Sequence, residues 1–279
     1  GWQWTMACIG ALAVALFWVT FATTRERVSP PPGQKGDLAR DLRSLLNRPW
    51  LLIGLATFFQ LTFIVARQST AAYYFKNFVQ DQTLSFLGIS RDLSYEALIS
   101  AFLVSGTIAT IVGTMCSRWF ARRLGKGRAY AVLMGVSVVA QLAFYLASPT
   151  DLVWIFTLNL IGQFVWGPVS VLQWSIYTDV ADHMEWKNER RATGLVMAAS
   201  LFMLKMGLAM GGAFVVWMLG MYGFEANQEQ SAATLRGIRM LMSVFPALFG
   251  VAAVALMFFY PLSEKVMGQV EEELAARRG

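Results

Sequence analysis

One lysine lies in the middle of the long apolar stretch SLFMLKMGLAMGG, Ser200–Gly212. Because no other charged residue occurs in Ala192–Phe224, Lys205 is about 20 Å from Arg191 at the 1.5 Å rise of a helix. A lysine stem cannot reach a polar surface over that distance, and an unpaired ammonium in apolar surroundings costs a few kcal/mol or more. The sequence therefore predicts that Lys205 pairs with a carboxylate or faces water.

Polar side chains recur on one face of two other apolar segments. Gln60, Arg67 and Tyr74 follow a spacing of seven residues, and a second stripe runs from Asn159 to Trp174. These residues either line a cavity or form hydrogen bonds between helices, and Arg67 either faces that cavity or reaches the outer interface. An amide beside an indole is suited to binding a sugar, because the amide can form hydrogen bonds with the hydroxyls and the ring can pack on the apolar face of the sugar. The candidate substrate and ion site comprises Lys205, Gln60, Arg67, Asn159, Gln163, Trp166, Gln173 and Trp174.

The elements that carry these residues are predicted to be transmembrane helices. Hydrophobic residues make up 56% of the chain and charged residues 14%, and the mean hydropathy is +0.50. Such a composition has too few polar groups to coat a soluble globule of 31.0 kDa. Seven segments have the length of roughly 20 apolar residues that a membrane-spanning helix needs. They are Gly1–Thr24, Pro49–Phe75, Ala97–Ser117, Ala129–Thr150, Leu152–Thr178, Ala192–Phe224 and Met240–Ser263.

The basic residues predict the orientation of these helices. One set of loops holds 17 of the 23 Lys and Arg residues and the opposite set holds four, so the former is expected in the cytoplasm together with the C-terminus. The net charge of +6 is then explained by anionic lipid rather than nucleic acid. Cys8 and Cys116 fall in predicted spans and indicate neither a disulfide framework nor a metal site, and no cofactor is expected.

The segments outside the spans suggest where the domains meet. Residues 24–48 form the longest polar stretch, in which Leu38, Leu42, Leu45 and Leu46 oppose Arg40, Arg43 and Arg48 on a surface-lying helix. Val266, Met267, Val270 and Leu274 share one face of a predicted tail helix. Because the chain starts at Gly1 without an initiator Met, we expect it to be a fragment.

Four sequence strings resemble those of one transporter family. They are YTDVADHMEWKNERRATG (Tyr177–Gly194), NRPW (Asn47–Trp50), LFMLKMGLAMGGAF (Leu201–Phe214) and NQEQSAATLRGIRMLMSVFPALF (Asn227–Phe249). Together they identify the chain as similar to the glycoside-pentoside-hexuronide:cation symporters, the melibiose-carrier-like branch of the major facilitator superfamily.

This resemblance implies an all-α polytopic membrane protein of two six-helix halves with the substrate and coupling ion between them. Residues 1–23 would be the last helix of a missing N-terminal half, 24–48 the cytoplasmic linker, 49–262 the second six-helix bundle and 263–279 a cytoplasmic tail helix. Lys205 would pair with carboxylates of the missing half, near a sugar or glycoside and a coupling Na⁺ or H⁺. A cytoplasmic gate network, which holds the halves together, would comprise Asp179, Asp182, Glu185, Lys187, Arg190 and Arg191.

Two other functions remain open at this point. A lipid or amphiphile carrier of the same superfamily would use Lys205 to meet an acidic headgroup, and a continuous apolar lining around Lys205 would favour it. A membrane enzyme or scaffold is the third hypothesis. It lacks a nucleophile placed with a base at depth, since the only histidine, His183, sits in a charged cytoplasmic segment.

Overall fold

The computed structural model describes residues 2–25, 43, 45–86, 89–190 and 192–278. Within these residues seven helices are long and apolar enough to cross a membrane, which confirms the predicted all-α polytopic fold. Most of the predicted surface helix, with Leu38, Leu42 and Arg40, lies outside the described residues.

The chain forms two compact units, residues 1–36 and 37–279. Helix α1 (Trp2–Thr23) is the described spanning helix of the first unit and carries no charged residue. Thr20 and Thr23 donate their hydroxyls to carbonyls four residues earlier, at 2.9 and 2.8 Å, so these polar groups are satisfied inside the helix.

The second unit contains the other six of the seven described spans. Its helices are α2 (Arg48–Tyr74), α3 (Tyr95–Met115), α4 (Ser117–Leu124), α5 (Lys126–Ala143), α6 (Leu152–Asn188), α7 (Thr193–Met221), α8 (Ala232–Leu241), α9 (Val244–Phe258) and α10 (Glu264–Arg278). A π-helical turn (Phe75–Val79) extends α2 and a 3₁₀ turn (Phe144–Leu146) extends α5. Helix α2 packs on α7 and α9, and α6 packs on α3 and α5.

Local sequence fixes the start of α2. The side chain of Asn47 accepts a hydrogen bond from Trp50 N at 2.9 Å, which satisfies one of the free amides of the first turn. Pro49 follows at a position where its missing N–H costs nothing.

A two-stranded antiparallel hairpin, which the sequence did not predict, connects α2 to α3. It pairs β1 (Gln82–Phe86) with β2 (Ile89–Leu93), so that Gln82 lies opposite Leu93 and Thr83 opposite Asp92. The Thr83 hydroxyl donates to Asp92 Oδ1 at 2.7 Å across this pair.

Helix α6 contains an internal proline that is accommodated by close packing with α3. Pro168 has no N–H to donate to the carbonyl of Phe164. That carbonyl oxygen lies against Gly113 of α3, where any Cβ would collide with it. Nearby, the Thr110 hydroxyl donates to the Gln163 carbonyl at 3.2 Å. The small residues of α3 therefore allow it to cover the irregular part of α6.

The last span is interrupted, whereas the sequence predicted one continuous segment. Helix α8 ends at Leu241 and α9 begins at Val244, because Pro246 cannot donate to the carbonyl of Met242 four residues earlier. The side chain of Gln141 in α5 donates to that carbonyl instead. Within the break, the Ser243 hydroxyl donates to the Arg239 carbonyl at 2.6 Å.

Candidate functional site

Lys205 lies in the middle of its helix, as its sequence position suggested. It is 12 residues after Thr193 and 16 before Met221, the ends of α7. The side chain is exposed, and within the described residues it has no hydrogen bond or ion pair. Its surroundings on α7 are apolar and exposed too, with Leu201 at 43% and Leu208 at 39%.

Two glycines set the direction in which Lys205 points. A Cβ at Gly207 would lie 2.6 Å from the Phe58 carbonyl oxygen of α2, and one at Gly211 would lie 2.8 Å from Cβ of Val65. The two glycines therefore allow α2 to approach α7 closely. Since Gly207 is about 200° around the helix from Lys205, the lysine points away from α2.

Arg67 lies inside the second unit and does not extend to the outer interface. Only 3% of this residue is exposed, and its Nη2 donates to Asn159 Oδ1 of α6 at 2.7 Å. The guanidinium carbon is 5.7 Å from the ring centres of both Phe102 and Phe144, a cation–π distance. Among the described residues, the charge therefore has an amide and two aromatic faces as its partners, and Nε has no acceptor.

The N-terminal part of the α6 stripe meets α3. Asn159, which is fully buried, also donates from Nδ2 to the Phe102 carbonyl at 2.7 Å. Gln163 is 8% exposed, and in the described structure its Oε1 has no hydrogen-bond partner. Gly106 of α3 lies beside both amides, where a Cβ would come within 3.1 Å of each side chain. This geometry joins Arg67, Asn159 and Gln163 in one buried polar layer.

The other predicted site residues lie nearer the opposite end of the bundle. Tyr130 of α5 donates its hydroxyl to Gln60 Oε1. Gln173 is 3% exposed and lies beside the phenol of Tyr177. Trp166 is half-buried, whereas 43% of Trp174 is exposed. No hydrogen bond in the described structure links any of these side chains to Lys205.

The charged motif after Thr178 continues α6 as a helix to Asn188, ten residues beyond the predicted end of that span. Asp179 is 8% exposed and pairs through both carboxylate oxygens with Lys126 Nζ, at 2.7 and 2.8 Å. The backbone N–H of Lys126 donates to Glu264 Oε1 at 2.9 Å. The first acid of the motif is thus tied to the start of α5 and to α10.

The remaining gate candidates are spread around this helix end. Asp182 and Arg190 are half-buried, Glu185 is buried and Lys187 is exposed. Asp182, Glu185 and Arg190 all have interaction partners. Arg191 lies outside the described residues.

Helix α10 supplies partners for the motif that sequence reasoning missed. Trp186 Nε1 donates to Glu273 Oε2 at 2.6 Å, and Arg277 Nη1 donates to the Trp186 carbonyl at 3.3 Å. Met267, Val270 and Leu274 form a buried cluster against Trp186. The sequence did contain a signal for this packing, namely the apolar face of the tail helix next to its run of acidic residues.

The described residues contain no group of three or more His, Cys, Asp and Glu side chains that could hold a metal ion. Within the same residues, Cys8 is an exposed free thiol and Cys116 a half-buried one.

Comparison with known proteins identifies one family and several relatives. The sequence model described as "MFS/sugar transport protein" matches residues 1–264. The chain is 28% identical over its full length to the provisionally named glycoside/cation symporter YagG of Escherichia coli K12, covering 58% of that protein.

Two further relatives show similar coverage. The inner membrane symporter YicJ of Escherichia coli K12 is 29% identical over 99% of this chain and 57% of its own length. The isoprimeverose transporter of Lactiplantibacillus pentosus is 28% identical over 99% of this chain and 56% of its own. The chain thus spans somewhat more than half the length of these relatives.

Proposed function

Because this chain belongs to the MFS/sugar transport protein family, we propose that the whole protein is a symporter that couples uptake of a sugar or glycoside to Na⁺ or H⁺. The names of three relatives, which include a glycoside/cation symporter and an isoprimeverose transporter, support this proposal. The proposal assigns transport by alternating access, and no catalytic role, to the residues described above.

The chain would supply the second half of this transporter. Helices α2 to α9 would form the second six-helix bundle and α1 the last helix of a first half. The coverage of 56–58% of the relatives supports a division of this kind. The excess of Lys and Arg at one side supports an inner-membrane orientation with α10 in the cytoplasm.

The single observation that carries the mechanism is the exposed, unpaired Lys205 at the middle of a span. Within the described residues no acid satisfies it, and its helix turns it away from α2. We therefore place it at the interface with the first half. There it would pair with carboxylates when the site is empty and release them when the coupling cation and the sugar bind.

The predicted polar and aromatic residues of α2 and α6 would have a role separate from that of the charged motif. Gln60, Arg67, Asn159, Gln163, Trp166, Gln173 and Trp174 remain the proposed substrate-side residues. Asp179, Asp182, Glu185, Lys187, Arg190 and Arg191 remain the proposed cytoplasmic gate. The pairing of Asp179 with Lys126 supports a gate whose position is fixed within this half.

The test uses the intact protein in membrane vesicles. Sugar-triggered Na⁺ and H⁺ fluxes are recorded over a glycoside and pentoside panel for wild type, Lys205→Met and the control Lys76→Met. Lys76 donates to Asn227 at the end of α2 that we propose faces outward, so its substitution should leave coupling intact. We expect sugar-dependent ion flux that Lys205→Met abolishes or uncouples. Equal flux in all three proteins would reduce Lys205 to a structural residue.

A lipid or amphiphile carrier is the second candidate. The exposed apolar side chains around Lys205, including Phe202 at 60%, are the observation that favours it. Absence of ion flux with every sugar, together with ion flux triggered by a lysophospholipid, would select this function over sugar symport.

A further inference from the structure

A second concave site lies where α5 begins and α9 ends. Its volume is about 790 Å³, and its walls come from residues 124–132 and 257–265. Lys126 begins one membrane span and Phe258 ends another, so the cavity is level with the edge of the hydrocarbon region. Among the described residues, none of those proposed for the sugar site or the gate lines it.

The polar side of this cavity is basic. Arg128 and Lys265 line it, both are exposed, and neither has a hydrogen bond or ion pair within the described residues. Lys126 also lines the cavity, but Asp179 already neutralises it. Among the described residues, Glu264 is the one acid that lines the cavity, so Lys126, Arg128 and Lys265 still exceed Glu264 and the paired Asp179 by one positive charge. A net positive site at the edge of a membrane attracts anionic groups.

The other side of the cavity is apolar and belongs to the spans. Val132 of α5 and Phe258 of α9 line it, with 52% and 78% of their surfaces exposed. An apolar wall that continues a basic rim into the hydrocarbon region matches a ligand with an anionic head and an aliphatic tail. A soluble anion would leave that wall uncovered.

Tyr260 also lines the cavity. Its hydroxyl is buried and has no partner in the described structure. A buried hydroxyl is out of reach of a ligand in the cavity, so Tyr260 contributes aromatic surface rather than a hydrogen bond to the ligand.

We propose that this cavity binds one anionic phospholipid, with Arg128 and Lys265 at its phosphate and its acyl chains along Val132 and Phe258. This site is independent of the proposed sugar site. It would link lipid composition to the contact between α5, α10 and the charged end of α6, since Lys126 and Glu264 belong to both.

The test measures retention of phosphatidylglycerol by the purified intact protein, with native mass spectrometry of lipid adducts. Each basic residue near an anionic headgroup contributes about fivefold in affinity. We therefore expect the double variant Arg128→Gln/Lys265→Gln to bind about 25-fold more weakly. The matched control Arg118→Gln/Arg122→Gln removes the same charge from exposed α4 positions outside the cavity and should change binding less than twofold.

A second variant tests the shape of the site without changing its charge. Val132→Trp fills the apolar side and should also release phosphatidylglycerol, while phosphatidylcholine adducts stay weak in every protein. Equal losses in both double variants would mean general attraction to basic loops and would overturn the proposal. Displacement by glycerol phosphate at the same concentration as the lipid would overturn it as well, because the apolar wall would then contribute nothing.

Discussion

The substitution Asn159→Ala tests how the bundle stabilises the buried charge of Arg67 without a carboxylate partner. Arg67 is 3% exposed, and its contact with Asn159 Oδ1 at 2.7 Å is the guanidinium's one hydrogen bond to a side chain among the described residues. Truncation removes that acceptor and also the amide that donates to the Phe102 carbonyl at 2.7 Å. The charge would keep only its aromatic contacts.

The expected loss of stability is larger than for an ordinary hydrogen bond between membrane helices, because one of the two partners, Arg67, is charged. Hydrogen bonds between membrane helices average about 0.6 kcal/mol and reach about 1.7, and those to charged groups contribute about 1.5–3 kcal/mol. We expect Asn159→Ala to lower the free energy of unfolding by about 2–3 kcal/mol. Arg67→Met removes the buried charge itself and should cost about 1 kcal/mol. The double variant should be no less stable than Asn159→Ala alone, a coupling of about 1 kcal/mol or more.

The assay is unfolding of the intact protein in mild detergent by titration with sodium dodecyl sulfate, followed by tryptophan fluorescence. Ser105→Ala is the matched control, because its hydroxyl is 3.5 Å from Asn159 Nδ2 and contributes little at that distance. Additive effects of the two single substitutions would refute the reasoning, since they would show that Arg67 and Asn159 do not depend on each other.

Two further predictions concern helix packing and use the same unfolding assay. Gly207→Val should cost about 1–3 kcal/mol by forcing α2 and α7 apart, whereas Gly212→Val, with nothing within 4 Å of the added Cβ, should be nearly neutral; equal effects would contradict the close approach. Gln141→Leu should cost about 1–3 kcal/mol by leaving the Met242 carbonyl unpaired, and Pro246→Ala should recover part of this loss by restoring a backbone N–H; no recovery would contradict the account of the break.

The number of spans could be predicted because uncharged length is a local property. The interruption of the last span could not, because it needs both Pro246 and an amide from α5, more than a hundred residues earlier. The extension of α6 to Asn188 was missed for a related reason. Charged residues after Thr178 indicate a loop when taken alone, but here Lys126 and α10 pair with them and hold the helix together.

The candidate site shows the same division between local and distant information. The isolation of Lys205 could be predicted, since the sequence alone gives its distance from other charges. The burial of Arg67 could not, because its acceptor Asn159 lies 92 residues away and the sequence left a cavity and the interface equally open. The spacing of the polar residues in the sequence predicted that each stripe lies on one face of a helix. It could not predict which neighbouring helix that face contacts, because tertiary packing decides this.

The two lone cations of the spans differ in how their charge is satisfied. Arg67 donates a hydrogen bond to an amide at 2.7 Å and contacts two aromatic rings. Neutral side chains of the bundle therefore stabilise its charge. Lys205 has none of these partners within the described residues, and its own helix turns it outward by placing glycines against α2. A charge at the centre of a bilayer costs about 2.5–3.5 kcal/mol or more of free energy, so a lysine that stayed in contact with lipid would destabilise the protein by that amount. That cost disappears only if another surface with acids or water covers α7, which is the reason for proposing the coupling role for Lys205, whereas the charge of Arg67 already has partners within this half.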